Sequence, residues 1–157
     1  MRSYHIQTPG SADRLILRSG QEPVPGPHEI LVQVRASSLN YRDVLVLEGA
    51  TRSPVKPGTI PLSDGAGKVM CTGERVTRVR TGDRVASVLL PLWTAGRWHP
   101  SYFAAALGTD LDGMLTEIAL LSEQAVVTIP AHLSFAEAAT LPTAGLTAWS
   151  ALTSGPP

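Results

Sequence analysis

Chemistry in a chain this short has to come from a few side chains, and the obvious candidates divide quickly. Gly65-Ala66-Gly67-Lys68 invites two phosphate-loop readings. A dinucleotide fingerprint needs a third small residue three positions after the second glycine, where Met70 stands. A P-loop needs Ser or Thr after the lysine and a glycine five positions before the second glycine; Val69 and Leu62 occupy those places. The segment therefore reads as a bent strand with two glycines. His5, His28, His99 and His132 are isolated, with no i, i+4 pair and no carboxylate at ligand spacing. Cys71 is the single cysteine, which excludes an intrachain disulfide and any zinc site of several thiolates. It has no nearby histidine to generate a thiolate. No Gly-x-Ser-x-Gly elbow supports hydrolase chemistry.

Composition narrows the field further. The chain has 13 Lys+Arg against 13 Asp+Glu, and 43% of its 157 residues are hydrophobic. Neutrality with that apolar content excludes a disordered polyelectrolyte. It also argues against nucleic-acid binding through a basic face, because neutralising phosphates needs surplus Lys and Arg. No apolar stretch follows Met1-Arg2-Ser3-Tyr4-His5, and the greasiest run, Val85 to Trp93, is broken by Ser87 and Pro91. That run is far short of the roughly 20 residues that span a bilayer. A soluble cytoplasmic protein is expected. Charged residues are only 17%, against about 25% in a typical soluble domain, as if part of the surface were covered by something else.

The elements that must position any site are short. Tyr4 to Gln7, Arg14 to Arg18 after a Pro9-Gly10 turn, and Glu29 to Ala36 after Pro23-Val24-Pro25-Gly26-Pro27 read as strands. In the last of these Ile30, Val32 and Val34 share one face. Asn40 can cap a helix over Tyr41 to Glu48, stopped by Gly49. Pro54 to Pro61 is a loop and Gly65 to Cys71 a strand. Val76 to Val79 and Arg84 to Leu89, around Thr81-Gly82-Asp83, suggest a hairpin. Leu90 to Asp112 is a long loop with one helical turn near Tyr102, and Met114 to Leu121 and Ala125 to Ile129 restore strand patterning. Ser134-Phe135-Ala136-Glu137 fits a capping box whose helix breaks near Pro142. An almost wholly apolar helix, Thr143 to Leu152, then leads to Gly155-Pro156-Pro157, a domain junction in character.

Five segments in order carry a further signal. They are Ala36-Ser37-Ser38-Leu39-Asn40-Tyr41-Arg42-Asp43, Ile60-Pro61-Leu62-Ser63-Asp64-Gly65-Ala66-Gly67, Thr81-Gly82-Asp83-Arg84-Val85, Asp112-Gly113-Met114-Leu115-Thr116-Glu117, and Ala138 to Trp149. Together they resemble the catalytic domain of the medium-chain dehydrogenase/reductase superfamily, the zinc alcohol dehydrogenase and quinone oxidoreductase group. The resemblance implies a mainly β fold with short helices. It is a GroES-like, partly open β-barrel over residues 1–130, with helices over 131–157 connecting to a Rossmann domain that this chain lacks. It also implies a nicotinamide cofactor, NADPH or NADH, in the cleft between the two domains.

The same resemblance bears on metal. Zinc-dependent members carry Cys-His-Thr-Asp where this chain has Asn40-Tyr41-Arg42-Asp43, and Gly-His-Glu where it has Leu62-Ser63-Asp64. Their third ligand falls at or near Thr143. Neutral oxygens of Asn, Ser and Thr are poor substitutes for thiolate and imidazole at tetrahedral zinc. The four-cysteine structural-zinc lobe falls between Leu90 and Asp112, which has no cysteine. The expectation is a zinc-independent oxidoreductase without a metal site. Hydride would pass to a small-molecule carbonyl, quinone or enone.

The resemblance then implies Asn40, Tyr41 and Arg42 as catalytic residues. Asn40 would hold the carboxamide or the substrate oxygen, and Tyr41 would donate a proton. Thr143 would contact the nicotinamide, and Ser63 and Asp64 would line the substrate cleft. Structural alternatives stand beside these: Asn40 as a helix cap, Tyr41 as barrel wall, Arg42 paired with Asp43 or Asp64. A homodimer fits the group, and the isolated chain is expected not to turn over. The competing reading is a non-catalytic binding or self-association module that retains the barrel.

Overall fold

The computed structural model describes residues 1–7, 15–51 and 55–153. Among these, seven strands and a few short helices form two open sheets. Strand β1 (Arg2–Ile6) pairs antiparallel with β2 (Leu15–Ser19). The Pro9-Gly10 turn and Arg14 lie outside the described residues.

The main sheet is built on β3 (Glu29–Ser38), which pairs with β4 (Asp64–Thr72) on one side and β6 (Ile118–Ser122) on the other. Strands β5 (Arg84–Ser87) and β7 (Val126–Thr128) complete the order β6-β3-β4-β5-β7. Leu31 is buried along with Ile30 and Val32 where the β3–β4 register shifts between Leu31 and Val32, and the expected alternation begins only at Gln33. Ile30 and Val32 meet Leu62, Val69, Val85, Leu107 and Met114 in the principal core. Each such side chain contributes roughly 1.5–3 kcal/mol of burial free energy.

The close approach of β3 and β4 explains one glycine of the Gly65-Ala66-Gly67-Lys68 segment. A Cβ on Gly67 would stand 2.2 Å from the Gln33 carbonyl oxygen. The two strands shift register nearby, between Val34 and Ala36. The segment is a strand, as expected.

The expected hairpin between Val76–Val79 and Arg84–Leu89 does not form. β5 takes β4 and β7 as neighbours, with Ala66 opposite Ala86 and Ala86 opposite Val127. Residues 73–83 are instead a connection closed by the Gly82 turn at φ 96°. The reason is a carboxylate. Glu123 Oε2 accepts the Thr77 and Arg78 amides at 2.8 and 3.0 Å, so that backbone has no need of a strand partner. Met114 and Leu115 likewise donate their amides to Leu62 and Pro61 rather than extending β6.

The helices follow their caps. In α1 (Tyr41–Glu48), Asn40 and Asp43 form a reciprocal capping box, and Gly49 ends the helix in the left-handed region at φ 71°. In α2 (Phe135–Ala139), Ser134 Oγ accepts the Glu137 amide at 3.2 Å. A π-helical turn, Leu141–Gly145, then opens α3 (Leu146–Thr153). Between Leu90 and Asp112 the one helical turn is 3-10, Pro100–Ala105. Its ring of aromatics includes a Trp93–Tyr102 stack with centroids 6.2 Å apart.

Candidate functional site

The site grows from the backbone before Asp64. Leu62 adopts φ 71°, the only non-glycine among the described residues in the left-handed region. Such a conformation costs a leucine on the order of 1 kcal/mol or more. The surroundings hold it there. Leu62 is buried in the core, its carbonyl accepts the Met114 amide at 2.8 Å, and Gly113 and Gly108 press against its backbone. This turn delivers Ser63 and Asp64 to the interior, both wholly buried.

Asp64 is the centre of the polar network. Its Oδ1 accepts from Ser63 Oγ at 2.8 Å and from Thr143 Oγ1 at 2.7 Å. Its Oδ2 accepts the Thr143 amide at 2.9 Å. From β5, Ser87 Oγ donates to the Ser63 carbonyl at 2.7 Å and accepts the Gly65 amide at 2.9 Å. Ser87 was not a candidate in the sequence, and no local pattern singles it out.

The N-terminus of α1 forms the other side. Asn40 N–H donates to Asp43 Oδ2 at 2.8 Å. Two buried atoms there have no hydrogen-bond partner among the described residues, Asn40 Nδ2 and Asp43 Oδ1. Burial raises the Asp43 carboxyl above its ordinary value, against the opposing pull of the Asn40 amide and Arg42. Burial also lowers the Arg42 guanidinium below its ordinary value, with Asp43, Asp64 and Asp110 acting in the other direction. The Arg42 guanidinium makes no carboxylate ion pair among the described residues. It donates to the Leu107 carbonyl at 3.1 Å. The expected pairing with Asp43 or Asp64 is therefore replaced by a long-range field and a backbone carbonyl.

Of the sequence candidates, the structure brings Ser63, Asp64 and Thr143 into direct contact, with Arg42 and Asp43 close enough to feel the Asp64 charge. Asn40 is both a cap, as its structural alternative had it, and the holder of an unused donor. Tyr41 stands outside the network at 78% exposure, so it is not a wall of the sheet's interior.

The donor set does not suit zinc. Ser63 and Thr143 present hydroxyls already committed to Asp64, and no cluster of three His, Cys, Asp or Glu side chains with metal-holding geometry exists among the described residues. No described helix is long and apolar enough to cross a membrane.

Comparison with known proteins places this geometry. Residues 26–131 match the alcohol dehydrogenase GroES-like domain. The chain is 41% identical over 128 residues to a zinc-type alcohol dehydrogenase-like protein of Schizosaccharomyces pombe, covering 80% of this chain and 36% of that one. It is 33% identical over 138 residues to a quinone oxidoreductase of Pseudomonas aeruginosa, covering 88% and 36%. Among solved structures, a putative alcohol dehydrogenase from Sinorhizobium meliloti superposes with a TM-score of 0.88 at 40% identity, covering 98% of this chain and 46% of that one. The chain thus spans little more than a third of the curated relatives' length. The mainly β fold and the matched domain establish that the chain belongs to the alcohol dehydrogenase GroES-like domain family.

Proposed function

We propose that this chain is the substrate-side domain of a zinc-independent, NAD(P)H-dependent oxidoreductase that reduces a carbonyl, a quinone or an activated C=C bond. The observation that carries the reading is the unused donor of Asn40 at the start of α1, two residues from the Arg42 guanidinium. Among the described residues Asn40 Nδ2 is buried without a partner, and half-buried Arg42 donates to a backbone carbonyl. An unmade buried hydrogen bond costs about 1–3 kcal/mol, which a substrate oxygen reaching it would recover.

A reduced nicotinamide, when bound, supplies the hydride. Everything else falls to this chain's residues. When hydride reaches the electrophilic carbon, negative charge develops on the substrate oxygen as alkoxide or enolate. Asn40 and Arg42 supply hydrogen bonds and positive charge to that oxygen, in place of a Lewis acid. The exposed Tyr41 hydroxyl gives its proton to the oxygen and regains one from water. Asp64 fixes Thr143, which would contact the nicotinamide when it is bound.

The test uses the chain joined to the nucleotide-binding domain of a relative, with NADPH consumption followed on quinone and enone substrates. Asn40→Ala lowers kcat about 10²-fold or more, the scale of losing one oxyanion donor, while leaving the fold intact by circular dichroism. Unchanged kcat in this variant contradicts the assignment.

One observation favours a second reading. Leu146, Trp149 and Leu152 on α3 are 63%, 67% and 85% exposed, an apolar face suited to self-association. A concentration-dependent dimer without turnover in the joined protein is the signature of that reading.

A further inference from the structure

The π-helical turn and α3 have an anchoring problem. Neither contains a fully buried residue, and Leu141, Leu146, Trp149 and Leu152 are all exposed. Apolar packing therefore does little to fix where this helix begins. Pro142 brings no amide to the first turn, and the Thr143 amide is among the early helix donors that have no carbonyl one turn back.

That donor goes instead to a carboxylate from 79 residues upstream. Asp64 Oδ2 accepts the Thr143 amide at 2.9 Å while Oδ1 accepts the Thr143 hydroxyl at 2.7 Å. A carboxylate accepting two bonds from one residue at the positive end of a helix is well placed for charge-assisted hydrogen bonding. The carboxylate itself is not free to drift. Ser63 Oγ holds Oδ1, Ser87 ties the backbone on both sides of it, and the Leu62 turn before it is clamped by Gly113 and Met114. One end of the contact is rigid and the other would otherwise be loose.

We infer that Asp64 is the positioning residue of the site: it caps the connecting helix from β4 and sets where Thr143 and the start of α3 stand relative to the α1 terminus. Its charge also reaches Arg42 and Asp43, so a single buried carboxylate faces both halves of the network. The consequence for catalysis rests on the proposed function; the positioning itself does not.

The test is amide hydrogen exchange on the 157-residue chain, with no substrate or cofactor, so it stands whether or not hydride transfer is ever seen. Thr143→Val keeps the amide bond and the side-chain shape but removes the hydroxyl bond. Thr143→Ser restores the hydroxyl. Asp64→Asn presents an amide donor where a carboxylate oxygen accepts. Amides of residues 143–148 exchange about tenfold faster in Thr143→Val and in Asp64→Asn, for the loss of roughly one charge-assisted bond. Amides of β3 and β4 keep their wild-type protection, and Thr143→Ser matches the wild type throughout. Should Asp64→Asn not fold, the two Thr143 variants decide the matter. Uniform acceleration across sheet and helix in Thr143→Val, or identical 143–148 exchange in the valine and serine variants, overturns the inference.

Discussion

Gly113→Ala destabilises the chain by about 4 kcal/mol or leaves it unfolded, an effect at the upper end for a single substitution. A Cβ at this position would stand 2.0 Å from the Leu62 carbonyl oxygen and 2.6 Å from that of Pro61. No side-chain rotation relieves this, because both obstacles are backbone. Nor can the backbone retreat without losing the Gly113 amide bond to Ile60 at 2.7 Å and the Met114 bond to Leu62 at 2.8 Å. Leu62 would be released from its left-handed conformation, and with it the route by which Ser63 and Asp64 enter the interior. Gly20→Ala is the control, since nothing lies within 4 Å of a Cβ there. Urea unfolding followed by circular dichroism measures both, with the control within about 1 kcal/mol of wild type.

The second large effect is at Glu123, which is 5% exposed and joins segments far apart in sequence. Glu123→Ala costs about 3 kcal/mol, because it strands the Thr77 and Arg78 amides and the 3.2 Å contact with His28. The two amides, more than His28, bring the Glu123 carboxyl down from 4.5 to about 2. A carboxylate whose folded value is depressed adds stability that is complete above its unfolded value and lost as pH falls toward its folded one. The wild type therefore loses stability between about pH 4.5 and 2. Glu123→Gln, which can still accept one amide, costs less at neutral pH, about 1 kcal/mol, and flattens that acid limb. Asp43 acts with the opposite sign. Its raised value means that its contribution declines as pH rises through the carboxylate range. Unfolding curves from pH 2 to 7 for wild type and Glu123→Gln would expose a mistaken sign, as parallel pH profiles.

What could be read without coordinates was local. The cap at Asn40, the stop at Gly49 and the box at Ser134–Glu137 each depend on residues within a few positions, and all three form. Strand β3 is legible from its alternation, although Leu31, beside a shift of register with β4, is buried as well. What escaped depends on distance along the chain. The hairpin over Val76–Val79 failed because the acceptor that satisfies its amides, Glu123, lies more than forty residues on. Nothing beside Ser87 hints that it bridges Ser63 and Gly65. A leucine at position 62 gives no sign of a positive φ, which is imposed by Gly108, Gly113 and the core. The same limit applies to the site. The resemblance offered Asn40, Tyr41, Arg42, Ser63, Asp64 and Thr143 as candidates, but that Asp64 joins Ser63 and Thr143 is a tertiary fact. So is the replacement of an expected Arg42 ion pair by the Leu107 carbonyl.

Family membership makes the role of metal the point to test, because the similar Schizosaccharomyces pombe protein is named a zinc-type alcohol dehydrogenase-like protein. The decisive measurement is hydride transfer by the chain joined to a relative's nucleotide-binding domain, before and after exhaustive chelation, with zinc counted by mass spectrometry. With far less than one zinc per chain, NADPH is expected to be consumed at the same rate before and after chelation. Turnover that vanishes on chelation and returns with one equivalent of zinc would contradict it.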